Sequence, residues 1–363
     1  MSINIVYLNI YGMLTFNIQL PRDTRFDAQR TKNSFTTALR AQIRWLSFGN
    51  EANLFERWHP LRPLMRRWNT RQMVKYVSRE LDNRFVHNSK NKGVVDKVRS
   101  KTIIDLALEN YLAGQAQDRD GGGGMDETFR NAAICQVRTF LFAGHDTSSS
   151  TLCYCYHLLS LHPNIRCKMV DELNQILGKH VGQAAPRIAG NPHLLNQLAY
   201  TFGIIKETLR LYPPASSTRS GESGFTVTSP DGRQCPTEGL LVWSNSVAIH
   251  RNPNIWPQPN DFIPERWLVD KDDTLFPAAK GMWRAFEYGP RNCIGQELAL
   301  LEVRLILALT VREFTIESAY DEWDRLRRPK GLKTVNSDRA YQILLGAAHP
   351  NDGFPCKVSI NGR

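Results

Sequence analysis

The sequence predicts a mainly α-helical chain with a minor β component, and three observations predict it. Long apolar-periodic stretches, from about residue 126 to 161 and from about 194 to 211, each stop at a proline. A further series, Leu298, Leu301, Leu305, Ala308 and Leu309, repeats at three- to four-residue spacing. Strand-like alternation is confined to short runs such as Phe225-Thr226-Val227 and Leu240-Leu241-Val242-Trp243. With 363 residues, 42% of them hydrophobic, the chain is large enough to bury a core in one or two domains.

Taken in order, the first twenty residues lean apolar but carry Asn4, Asn9 and Asn17, with no basic region ahead of them. They predict neither a signal peptide nor a membrane span, which needs ~20 mostly apolar residues. Residues 1 to 120 read as several helices with basic-aromatic connectors, among them Phe55-Glu56-Arg57-Trp58-His59-Pro60 and Arg66-Arg67-Trp68. Such a mix suits a membrane interface or an ordinary solvated face equally. Gly121 to Gly124 predict a flexible loop. A long helix from about Asp126 to Leu161 is stopped by Pro163. The next starts there and carries Met169, Leu173, Ile176 and Leu177 on one face. A third spans about Leu194 to Leu211 and ends at Pro213 and Pro214. Residues 225 to 248 are strand-like, and short strand candidates follow Phe314. There is no internal repeat.

Charge and cysteine content narrow the function classes. Lys+Arg of 46 against Asp+Glu of 35 gives +11, which suits an acidic partner protein or an anionic membrane surface. The basic residues are scattered without a stacking platform, which argues against nucleic acid. Seven irregularly spaced cysteines argue against a disulfide framework and for a reducing compartment. Cys153, Cys155, His157 and Cys167 crowd together, but not at the paired spacing a tetrahedral zinc site uses.

The strongest chemical signal is the run Phe286-Glu287-Tyr288-Gly289-Pro290-Arg291-Asn292-Cys293-Ile294-Gly295. A cysteine behind glycine, proline and arginine, just ahead of a helix start, has the surroundings that favour a metal-binding thiolate. The run resembles the haem-binding loop of the cytochrome P-450 family, F-x-x-G-x-R-x-C-x-G, with Phe286, Gly289, Arg291, Cys293 and Gly295 filling every fixed position. The resemblance implies that Cys293 is the proximal ligand of haem b iron, the metal site of the family. It also implies that Gly289 and Gly295 let the loop turn under the porphyrin and that Arg291 meets a propionate.

Three further segments extend the resemblance. Ala143-Gly144-His145-Asp146-Thr147 is similar to the family's A-G-x-[DE]-T segment. By that likeness Thr147 would hold dioxygen and water, Asp146 would help relay protons, and His145 takes no catalytic role. Phe140, Gly144, Thr147 and Thr151 share one helical face. Glu207 and Arg210, at i,i+3, with Arg266 in Pro264-Glu265-Arg266-Trp267, resemble the family's buried Glu–Arg–Arg network and are structural. In the connector Tyr212-Pro213-Pro214-Ala215-Ser216-Ser217-Thr218-Arg219, the resemblance makes Arg219 a propionate partner. Phe140, Ala143, Gly144, Ser216, Ser217 and Thr218 become substrate-pocket candidates.

The resemblance implies the P-450 fold as a single domain over residues 1–363. It further implies a monooxygenase that hydroxylates or epoxidises a small apolar organic substrate, such as a secondary metabolite. NADPH–cytochrome P-450 reductase, or cytochrome b5 beside it, would supply electrons at the cytosolic face of the endoplasmic reticulum membrane. The tail from Ala340-Tyr341-Gln342 looks like the fungal membrane-bound branch. The family's membrane anchor, first sheet strands and early helices have no counterpart here, so a chain lacking its N-terminal portion is expected. Two alternatives stand beside this: a haem-poor fragment, or a P-450-fold isomerase or dehydratase.

Overall fold

The computed structural model describes residues 59–90, 102–115, 125–277, 281–326 and 334–361, together with residues 38, 41 and 42. The expected connector at Phe55–Trp58 and the glycine loop Gly121–Gly124 lie outside the described residues. The chain divides into two compact units, Met1–Ser149 with Leu344–Gly346, and Ser150–Ile343 with Ala347–Arg363.

In the first unit, helix α1 spans Arg62–Lys90 and helix α2 spans Ile103–Gln115. Met73, Val77 and Leu81 repeat every four residues along α1 and are buried, as are Ile104 and Leu108 of α2. The two helices pack together. Thr102 starts α2 with a reciprocal cap: Asp105 N–H donates to Thr102 Oγ1 at 3.3 Å, and Thr102 N–H donates to Asp105 Oδ2 at 3.0 Å. Arg84 of α1 reaches the same carboxylate at 2.9 Å. Helix α3, Glu127–Leu161, begins in this unit. Asp126 accepts the Phe129 N–H at its start, Arg130 pairs with Asp82 of α1 at 2.6 Å, and Phe129 stacks on Tyr111. The expected start near Asp126 and stop at Leu161 match these bounds to within a residue.

In the second unit, residues 151–159 of α3 are buried on every side, and Tyr154 stacks on Tyr212 with ring centroids 4.1 Å apart. Helix α4, Pro163–Leu177, buries Ile165, Met169, Leu173 and Leu177; Ile176, expected on that face, is only half-buried. Helix α5 is Ala184–Gly190. The helix expected from Leu194 is broken: a 3-10 turn, Pro192–Gln197, ends at Leu198, and helix α6 runs Ala199–Leu211. The break has a physical cause in Glu172 of α4. Its carboxylate accepts the Tyr200 and Thr201 N–H groups at 2.6 and 2.8 Å and caps a fresh helix start.

Strand β1, Ser217–Ser220, and later strands β2, Thr226–Thr228, β3, Gln234–Pro236, and β4, Leu241–Ser244, form two antiparallel pairs, β1 with β4 and β2 with β3. The stretch read as strand-like to residue 248 instead closes on a short helix α7, Ser246–His250, capped by Asn245. Helix α8 covers Gln296–Thr310. Strand β5, Phe314–Ser318, is followed by helix α9, Tyr320–Leu326, and then by β6, Gln342–Leu345, β7, Ala347–Pro350, and β8, Cys356–Ile360, which pairs with β5. Helices dominate, as the periodicity predicts. Among the described residues no helix is long and apolar enough to cross a membrane.

Candidate functional site

The cysteine run forms a loop that ends at Gly295, directly before α8. Its stem is closed by the Cys293 N–H donating to the Phe286 carbonyl at 2.9 Å, and its tip by Asn292 N–H to Gly289 O at 3.0 Å. The turn needs Gly289, whose φ is +93°, and it holds Glu287 at φ +60°. Residues 288–294 are exposed, Ile294 entirely so. Gly295 caps α8 at an ordinary φ of −86°, so backbone freedom does not demand glycine there. A Cβ at that position would stand 3.8 Å from Cys293 Sγ, against the reactive atom.

The stem is held from three directions. Ser217 of β1 donates to Glu287 Oε1 at 2.9 Å, and Arg284 lies 3.6 Å from the other Glu287 oxygen. Trp283 Nε1 donates to the Lys206 carbonyl of α6 at 3.3 Å. His250 accepts the Arg284 N–H on Nε2 at 2.7 Å. Its Nδ1 must therefore carry the proton, which it gives to the Arg210 carbonyl at 2.9 Å. Burial pushes the His250 pKa down to about 4, so the ring is neutral.

Behind the stem lies a buried charge cluster. Glu207, fully buried, accepts from Arg210 Nε and Nη2 at 2.9 and 2.8 Å and from Arg266 Nε at 2.9 Å. It also accepts the Ile263 N–H at 3.1 Å and Trp267 Nε1 at 3.0 Å. The guanidiniums turn their remaining donors to carbonyls, Arg210 to those of His250, Pro259 and Asp261, and Arg266 to those of Pro257, Gln258 and Leu275. Gly203 makes this approach possible: a Cβ there would lie 2.8 Å from the Pro264 carbonyl oxygen. From the cluster a chain of rings, Trp256, Trp267, Trp283 and Phe286, runs to the cysteine loop with centroids 5.7–5.8 Å apart. Lys206 sits 4.1 Å over Trp267, and burial lowers its pKa.

Of the connector residues, Ser216 accepts Trp243 Nε1 of β4 at 2.7 Å, and the Ser217 hydroxyl is given to Glu287. Thr218 and Arg219 are exposed, with Arg219 Nη1 on the Thr218 carbonyl, and Arg291 is exposed on the loop. The structure thus brings Ser217, Arg219, Phe286, Gly289, Arg291, Cys293 and Gly295 into one unit with Glu207, Arg210 and Arg266 behind them.

The other predicted residues lie on the part of α3 that belongs to the first unit. Thr147 Oγ1 donates to the Ala143 carbonyl one turn back at 2.8 Å. Asp146 and His145 are buried, Phe140 and Gly144 are half-buried, and Ala143 is exposed.

Sequence reasoning passed over His250, Glu287, Trp256 and Trp283. Trp267 and Glu287 stood inside quoted motifs, but nothing marked their partners. His250 and Trp256 belong to a segment without periodicity, and their roles exist only through contacts 34 to 46 residues away in sequence.

The donor set tests what Cys293 can hold. Among the described residues no three His, Cys, Asp or Glu side chains converge as a metal site. Cys153 and Cys155 are buried, with thiols pushed up to about 12 by burial. Cys293 is an exposed single thiol on a fixed stem, and a Cβ at Gly295 would only touch it at van der Waals distance. A lone thiolate donor fits a metal whose remaining positions are filled by a macrocycle, as in haem, and does not fit a bare zinc ion.

Comparison with known proteins agrees. The sequence matches the family model for Cytochrome P450 over residues 3–344. It is 38% identical over 340 residues to the cytochrome P450 monooxygenase polC of Polytolypa hystricis, covering 93% of this chain and 60% of that protein. It is 33% identical over 372 residues to the cytochrome P450 monooxygenase acrF of Aspergillus aculeatus, covering 97% of this chain and 71% of that protein. The chain thus spans only about three fifths of the first relative. A crystal structure of a cytochrome P450, CYP102L1, superposes with a TM-score of 0.67 at 20% identity, over 99% of this chain and 71% of that one. A cytochrome P450DA heme domain gives the same TM-score over 67% of its length. On the family match, the fungal relatives and the fold together, this chain belongs to the cytochrome P450 family.

Proposed function

We propose that this protein is a haem-thiolate monooxygenase, a single P450 domain that hydroxylates or epoxidises a small apolar organic compound of secondary metabolism. The observation that carries the reading is the fixed loop presenting Cys293 as a lone exposed thiol. Haem, when bound, supplies the oxygen-activating chemistry, and the thiolate donor favours O–O cleavage.

The chain's own residues divide the remaining work. Cys293 would hold the iron, and Arg291 and Arg219, both exposed cations, would meet the propionates. Phe286, Gly289 and Gly295 shape the loop. Thr147, whose hydroxyl bonds the Ala143 carbonyl, would hold dioxygen and water, and Asp146 would help relay protons. Phe140, Ala143 and Gly144 in the first unit and Ser216, Ser217 and Thr218 in the second are the candidates for substrate contact, with the Ser217 hydroxyl engaged by Glu287. Electrons come from NADPH through a reductase, with cytochrome b5 as an alternative donor, at the cytosolic face of the endoplasmic reticulum membrane.

The test is the reduced, carbon-monoxide-bound absorption spectrum of the chain expressed with haem supply, beside that of Cys293→Ala. The parent is expected to show a strongly red-shifted thiolate band that the variant lacks at unchanged thermal stability. A variant that keeps the band would overturn the assignment of Cys293.

A further inference from the structure

Glu287 stands in the stem of the cysteine loop with φ at +60°, a left-handed backbone that a residue with a Cβ rarely adopts and that glycine takes freely. Such strain persists only where the surroundings impose it. Here the side chain supplies the reason. Its carboxylate, 15% exposed, accepts the Ser217 hydroxyl at 2.9 Å on one oxygen and faces Arg284 Nη1 at 3.6 Å with the other. The Arg284 contact is too long for a hydrogen bond of full strength, so Ser217 is the firmer partner. The backbone of Arg284 is fixed independently, by His250 on its N–H and by the Ser246 hydroxyl on its carbonyl. The base of the stem therefore does not depend on Glu287.

Ser217 begins β1, two residues ahead of Arg219. Among the described residues β1 pairs with β4 alone, and a two-stranded ribbon is not rigid by itself. Upstream, the connector is pinned at two carbonyls: Pro213 accepts Gln342 Nε2 at 3.0 Å, and Pro214 accepts the Ala348 N–H at 2.8 Å. Beyond that point Ser216 bonds to Trp243 and Arg219 to the Thr218 carbonyl, both within the ribbon. Among the described residues, the Ser217–Glu287 bond is the single hydrogen bond or ion pair joining residues 216–220 to residues 284–295. One bond thus sets how far the strand carrying Arg219 stands from the loop carrying Cys293 and Arg291. We propose that Glu287 is a positioning residue: by holding Ser217 it fixes the spacing between Arg219 and the Cys293 thiol, and so where a haem bound by both can sit. Its use rests on the haem-thiolate reading, but the bond does not, since both partners belong to the chain.

The experiment compares the full chain with Ser217→Ala, Ser217→Thr, Glu287→Gly and the double variant Ser217→Ala/Glu287→Gly. Three quantities are read: hydrogen exchange of the loop amides in the haem-free chain, the rate at which the loaded chain gives up haem to excess apomyoglobin, and thermal melting. Ser217→Ala and Glu287→Gly should each speed exchange at Asn292 and Cys293, and haem loss, by roughly tenfold, the worth of one shielded charge-assisted bond. Ser217→Thr keeps a hydroxyl and should stay within about twofold of the parent. The double variant should be no faster than either single one, because both remove the same bond. Melting separates positioning from plain stability. Ser217→Ala leaves the strained Glu287 behind and should melt lower, whereas Glu287→Gly relieves the strain and should not, although both loosen the loop alike. Unchanged exchange in Ser217→Ala would overturn the proposal. Additive effects in the double variant would do the same, since glycine would then loosen the loop through its own freedom. Faster exchange with unchanged haem loss would remove the role in seating haem. Failure of the haem-thiolate reading shows in the parent, as a missing thiolate band, whereas failure of the positioning role shows only in the variants.

Discussion

Replacing Glu207 by alanine removes the one carboxylate that two buried guanidiniums share. Arg210 and Arg266 are 0% and 1% exposed and would keep their carbonyl acceptors but lose their only anionic partner in the cluster. Three charge-assisted bonds disappear with it, together with acceptors for the Ile263 N–H and the Trp267 indole. Breaking a buried pair from one side costs about 3–5 kcal/mol. Here the sum of five lost bonds would exceed that, but six retained arginine–carbonyl bonds hold the guanidiniums partly solvated, so ~4 kcal/mol is expected. Against a typical total stability of about 5–15 kcal/mol this is a large fraction. Urea unfolding followed by tryptophan emission measures it, because Trp256 and Trp267 flank the cluster. Glu207→Gln should recover little, since its amide would turn an NH₂ group toward arginine donors. A Glu207→Ala loss below about 1 kcal/mol would show that the carbonyl dipoles alone neutralise the two arginines. In a double-mutant cycle with Arg266→Met, additivity of the two losses would refute the pairing itself.

Other tests address the loop stem and the cysteines. His250 titrates at about 4 in the folded chain against an ordinary 6.5, so the unfolded chain binds more protons between those values. Stability should therefore fall by roughly 3 kcal/mol as pH drops from about 6.5 to 4 and level off below. Urea titrations of His250→Gln across that range should lack this component, and an unchanged slope would exclude the buried neutral ring. A thiol reagent should label Cys135, Cys167 and Cys293 in the native haem-free chain and leave Cys153 and Cys155 untouched until denaturant is added. Haem loading should protect Cys293 and not Cys135. Gly203→Ala should lower stability by about 1–3 kcal/mol, because its Cβ must displace the Pro264 carbonyl; calorimetry showing no change would mean that turn yields freely.

The local signals and the long-range ones were legible in the sequence to different degrees. The proline stop after Leu161 and the start at Pro163 depend on residues within a few positions, and the helices lie where they were expected. The cysteine run is likewise local and marks its loop. The helix predicted from Leu194 failed because Glu172, more than twenty residues earlier, caps a new start at Tyr200 and Thr201. The strand-like reading through residue 248 missed α7, whose cap rests on one asparagine. His250 shows the limit most sharply. Its neighbours in sequence give no hint that one nitrogen serves α6 and the other serves a backbone amide beside the cysteine loop.

The cysteine loop joins a stem clamped by Glu287, His250 and Trp283 to a tip, residues 288–294, that is exposed throughout. This divides tolerance to mutation along a few neighbouring residues. Stem changes are read by the whole fold, whereas tip changes other than at Gly289 touch little besides what the loop holds. A library at Tyr288, Pro290, Asn292 and Ile294 could therefore vary the surroundings of the thiol while the melting temperature stays put. In a chain of this kind the positions flanking the thiol would tolerate change that the stem carrying it does not.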